Sequence, residues 1–87
     1  MSRNSLPSNV EFLFTELKTG LTFANMAISA PADKTERIER DRKNARKAYD
    51  TLLKFQSRVL FSEAEEVKFA AGLEDLETAL RKLGESI

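Results

Sequence analysis

Acid–base, metal and nucleophilic chemistry draw on a short list of side chains, and this sequence is poor in them. It has no His and no Cys, which removes the commonest general base, the commonest metal ligand and all thiol chemistry. The densest carboxylate group, Glu63, Glu65 and Glu66, falls at a predicted helix start, where the helix dipole favours negative charge without any catalytic role. The Glu-x-x-His pair that helix bundles use to hold metals is missing along with the histidines. No catalytic residue, cofactor, metal site or small-molecule substrate is therefore expected, and the chain reads as a non-enzyme.

A second candidate chemistry is phosphate contact. Arg40, Lys43, Lys47, Lys54 and Arg58 fall within about one quadrant of a helix, as a polyanion-binding row would require. Glu36, Glu39 and Asp50, however, stand four residues before Arg40, Lys43 and Lys54, the favourable order for acid-to-base pairs on a solvated helix. No second basic element supports the row, and the first helix adds only Lys18. Lys plus Arg equals Asp plus Glu at 14 each, so no global field steers the chain toward nucleic acid. Charge is uneven, though: residues 34 to 58 hold nine basic and four acidic side chains, and residues 62 to 87 three basic and seven acidic. That contrast is expected to draw neighbouring helices together. Weak nucleic-acid or polyanion binding is thus the alternative reading, behind protein association.

A third candidate is apolar. Phe12, Phe23 and Met26 lie on the far side of the first helix from its main stripe. Eleven residues, three helical turns, separate the two rings, so they stand almost in line. Two arrangements account for such a wide apolar arc. The first helix could be central, covered by a neighbour on each flank, or these three side chains could form a dimer or partner interface, where aromatics and Met are enriched.

Three helices must position these residues. Ser8 and Glu11 form a capping box that opens the first helix, which leaves Met1 to Pro7 as a tail expected to be mobile. Val10, Phe14, Leu17, Leu21, Ala24 and Ile28 follow at alternating spacings of four and three and predict its buried stripe. Pro31 stops that helix, since proline cannot donate a backbone bond and disfavours helical geometry before it. Asp33 with Glu36 repeats the start signal for a second helix over 34–60, whose stripe is Ile38, Ala45, Leu52 and Val59, flanked by Ala48, Tyr49, Phe55 and Gln56. Asp41 and Arg42 are assigned to a charged overhang, and Gln56 is the deepest polar side chain. The next boundary rests on one capping signal, Ser62 to Glu65, with a single long rod as the rival. A third helix over 63–83 carries Phe69, Leu73, Leu76, Leu80 and Leu83, and Gly84 supplies its end.

The run Ala45-Arg46-Lys47-Ala48-Tyr49-Asp50-Thr51-Leu52 looks like part of a tetratricopeptide repeat, but no 34-residue period exists to support one. With Arg42-Lys43-Asn44 before it, the run also resembles small bacterial helical proteins of unassigned function. That resemblance implies an all-helical fold and brings no activity or site residues.

The expected architecture is an all-α, up-down-up antiparallel three-helix bundle in one domain over 8–87, since 87 residues suit a single core. No hydrophobic run near the N-terminus could act as a signal peptide or span a bilayer, so a cytoplasmic location without membrane contact is expected. The expected function is non-catalytic association, as a homodimer or with another helical protein.

Overall fold

A computed structural model describes residues 10–87. The expected tail over 1–7 and the Ser8 cap lie outside them. Three helices follow in order, α1 (Val10–Ser29), α2 (Thr35–Phe55) and α3 (Glu63–Lys82), with a 3-10 turn over Gln56–Arg58. The described residues contain no strand.

Local chemistry explains where each helix begins and ends. Ser62 accepts from the Glu65 amide at 3.2 Å while the Glu65 carboxylate accepts from the Ser62 amide at 2.9 Å, so the capping box is complete. The chain therefore turns between α2 and α3, and the long-rod alternative is ruled out. At the far end of α3, Gly84 takes φ +91°, and the Gly84 and Glu85 amides donate to the Arg81 and Leu80 carbonyls. This left-handed Schellman ending is one that glycine permits at no steric cost.

Two boundary expectations need correction. Asp33 does not cap α2; Lys34 occupies the cap position with no side-chain hydrogen bond. The Lys34 amide closes a turn onto the Pro31 carbonyl at 3.0 Å, which holds Asp33 inside the turn. The second helix stops at Phe55 and not at 60, because the backbone tightens into the 3-10 turn and is extended by Val59. Gln56 consequently sits half-exposed in that turn, not deep in the core.

Side-chain neighbours establish the topology. Phe12 meets Phe55, and a β-carbon on Gly20 would lie 3.2 Å from that of Ala48, so α1 and α2 run antiparallel. Phe14 meets Phe69, Gly20 faces Leu76 and Leu17 faces Gly72, so α1 and α3 run parallel. Tyr49 bonds Glu77 and Arg46 bonds Glu85, so α2 and α3 are antiparallel. The molecule is an all-α, up-down-up three-helix bundle with α1 packed against both other helices.

The core contains Leu13, Leu17, Ala24, Ala45, Tyr49, Leu52, Phe69, Leu76, Ala79 and Leu80. Leu17, Leu52 and Leu76 are buried as expected, but the centre of the α1 stripe is displaced. It runs through Leu13, Leu17, Gly20, Ala24 and Ala27, while Phe14 and Leu21 are half-buried and Ile28 is exposed. A helix with two partners buries the arc that bisects them; the sequence stripe shares Leu17 and Ala24 with that arc, and its other members fall beside it.

Asp41 also sits elsewhere than expected. It is 1% exposed, not on an overhang, because it shares the four-three register of Ala45, Ala48 and Leu52. Its nearest cation is Arg40 at 3.6 Å, and its Oδ2 has no hydrogen-bond partner among the described residues.

Candidate association surface

Among the described residues, no three carboxylates converge as a metal site would need. Glu65 is engaged in the cap, whereas Glu63 and Glu66 are exposed on the first turn of α3. The acidic group therefore sits as the helix dipole favours.

Arg40, Lys43, Lys47, Lys54 and Arg58 are all exposed on α2 and the turn after it. Several are already occupied. Arg40 lies beside Asp41, while the Lys54 ammonium and the Arg58 guanidinium stand 5.5 and 5.2 Å from the centre of the Phe55 ring, both within cation–π range. The expected pairs of Glu36, Glu39 and Asp50 with Arg40, Lys43 and Lys54 are replaced. Arg42 pairs with Glu39, and Arg46 pairs with Asp50 at 3.0 Å.

The basic and acidic helices do meet within one chain. The Schellman ending of α3 delivers Glu85 to α2, where Arg42 and Arg46 each donate to one of its carboxylate oxygens. Arg46 also donates to the Ser86 carbonyl at 2.9 Å. One turn of α2 further on, the Tyr49 hydroxyl donates to Glu77 at 2.8 Å. Direct packing between α2 and α3 is thin, and these charge-assisted bonds close the seam.

The pKa of the Tyr49 phenol is raised above its ordinary 10.0, first by burial and then by the Glu77 carboxylate, which accepts its proton and repels its charged form. A raised folded-state pKa stabilises the fold fully below the unfolded value and loses that contribution as pH climbs through the folded one. Urea midpoints are therefore expected to decline above about pH 10 through this group, and Tyr49→Phe should flatten that decline. An equally steep decline in both proteins would exclude the Tyr49–Glu77 bond.

Phe12, Phe23 and Met26 do not form one exposed line. Phe12 packs edge-on against Phe55 with centroids 6.1 Å apart. Phe23 lies against the core and lines a groove of about 300 Å³ with Lys47, Ala48 and Thr51 of α2. Both rings are half-buried on the α2 flank of α1, and Met26 is 37% exposed on the outer face.

The largest uncovered apolar side chains lie instead at the corner between α2 and α3. Leu60 is 96% exposed and Val67 is 72% exposed, with Ala64, Ala70 and Ala71 also open on the same end of α3. Leu60 helps to line a cleft of about 510 Å³ with Val59, Phe61, Phe69, Ala70 and Leu73, to which Gln56, Ser57 and Glu66 add polar lining. Beneath it, Phe61 stacks on Phe69 at 4.9 Å, and Phe14 abuts both rings edge-on.

Sequence reasoning placed Leu60 at the end of the second helix. The signal that marks it is the unbroken run Val59-Leu60-Phe61: Val59 and Phe61 turn in toward the core as partly buried side chains, so the residue between them points out of the extended corner.

No described helix is long and apolar enough to cross a membrane. The chain matches no protein-family model, no curated protein and no solved structure.

Proposed function

We propose that the protein is a non-catalytic association module that engages another protein surface through the α2–α3 corner. The observation that carries this reading is Leu60, a large apolar side chain 96% exposed beside an apolar cleft. Scattered surface leucines are ordinary, but one that stands next to a floor of stacked rings has the composition of an interface core. Phe12 and Phe23, with much of their area already against α2, leave less for a partner. A cytoplasmic setting belongs to the same proposal, from a sequence without Cys.

A photo-crosslinking amino acid at position 60, compared with one at Lys43 on the basic face, tests the reading in the cells that make the protein. Protein adducts from position 60 and few from position 43 are expected. Adducts from neither position, or equal yields from both, would remove the corner as the binding surface.

A further inference from the structure

We infer that the partner at this corner is a second copy of the chain, held by a two-fold interface in which each protomer's Leu60 fills the other's cleft. The inference rests on the association reading and names its partner. Its basis is that the knob and the hole are neighbours on one surface. Leu60 stands out from the extended corner and also borders the 510 Å³ cleft formed by Phe61, Phe69, Ala70 and Leu73. A patch that carries both parts is self-complementary, as an isologous interface requires: one side chain contacts a site on its partner, and the partner's equivalent returns the contact.

Charge supports the same arrangement. Arg58 and Glu66 lie on opposite sides of Leu60 in the chain, both exposed, and neither has an ion-pair partner among the described residues. Arg58 stands within cation–π range of Phe55, and Glu66 adds polar lining to the cleft. A dyad that passes between the turn after α2, which carries Arg58, and the first turn of α3, which carries Glu66, brings the positive side of one patch to the negative side of the other. Arg58 then faces Glu66 of the partner subunit, and Glu66 faces the partner's Arg58. Opposite charges across the rim set register and discourage a like-facing approach.

A contact built on one leucine and one cleft is expected to be small. Interfaces under about 1,000 Å² are weak and transient, so a dissociation constant on the order of 100 μM is expected, a scale of about −5.5 kcal/mol. Sedimentation equilibrium of the full chain from micromolar to about 1 mM should show a monomer passing to a dimer. Leu60→Ser should abolish dimerisation with the melting temperature unchanged, since the side chain lies outside the core. Arg58→Glu and Glu66→Arg should each weaken the dimer about fivefold, and the double variant should recover most of that loss. A parent that stays monomeric at 1 mM overturns the inference, as does a dimer that survives Leu60→Ser or a double variant weaker than either single one. Crosslinks from position 60 to a different protein, with the purified chain monomeric, would likewise overturn the second copy while leaving the association reading in place.

Discussion

Truncating Leu76 to Ala is expected to lower the unfolding free energy by about 2 to 5 kcal/mol. Leu76 is fully buried and points from α3 into α1, where a β-carbon on Gly20 would lie 3.0 Å from its Cδ2. The cost has two parts. The removed methyl groups lose their transfer free energy, and the space they leave persists unless neighbours move in. Relaxation is limited, because α1 and α2 already meet through Gly20 and Ala48 and cannot approach further. A small domain holds about 5 to 15 kcal/mol in total, so such a loss consumes a large share of it. Urea unfolding followed by circular dichroism measures it. A midpoint within experimental error of the parent would mean that α3 does not dock on α1 as described.

The second large effect is expected from the opposite operation at the same junction. Gly20→Leu should cost about 3 kcal/mol or more, and Gly20→Ala less than about 1 kcal/mol. Gly20 is buried where all three helices converge, with Leu76 on one side and Ala48 on the other. An added methyl meets Leu76 Cδ2 at 3.0 Å and the Ala48 β-carbon at 3.2 Å; the end of the Leu76 side chain gives readily, Ala48 only by a few tenths of an ångström with its helix, and the better helix propensity of Ala offsets part of that strain. Leucine has no such outlet. Its branch would have to displace either the Leu76 side chain or the α2 backbone behind Ala48, and close-packed interiors resist both. Thermal melts of the two variants separate the cases. If Gly20→Leu melted with the parent, α1 would not be the central helix.

The secondary structure was largely legible because its signals are local. Ser62 and Glu65 lie three residues apart and cap α3 whatever the rest of the chain does, and Gly84 ends it for an equally local reason. Leu17, Leu52 and Leu76 stood out as core because helical periodicity places them on faces already rich in apolar residues. The Asp33 signal misled, since the same residues also make a good turn and the turn won.

What the sequence determined alone, then, was three amphipathic helices, their ends at Ser62 and Gly84, and a bundle as the way to bury three stripes. Only the tertiary structure decided which apolar surfaces remained uncovered. The wide arc of α1 fits either a central helix or a dimer face, and burial of Phe12 and Phe23 on the α2 flank depends on how far α2 wraps around α1, which no spacing encodes. Asp41 entered the core because its register outweighed its polarity. Leu60 was left outside because an extended corner alternates its side chains, so the inward turn of Val59 and Phe61 drives the residue between them into solvent. Caps and periods act over a few residues, whereas exposure is settled by contacts between residues far apart in the chain, such as Phe14 with Phe61 and Arg46 with Glu85.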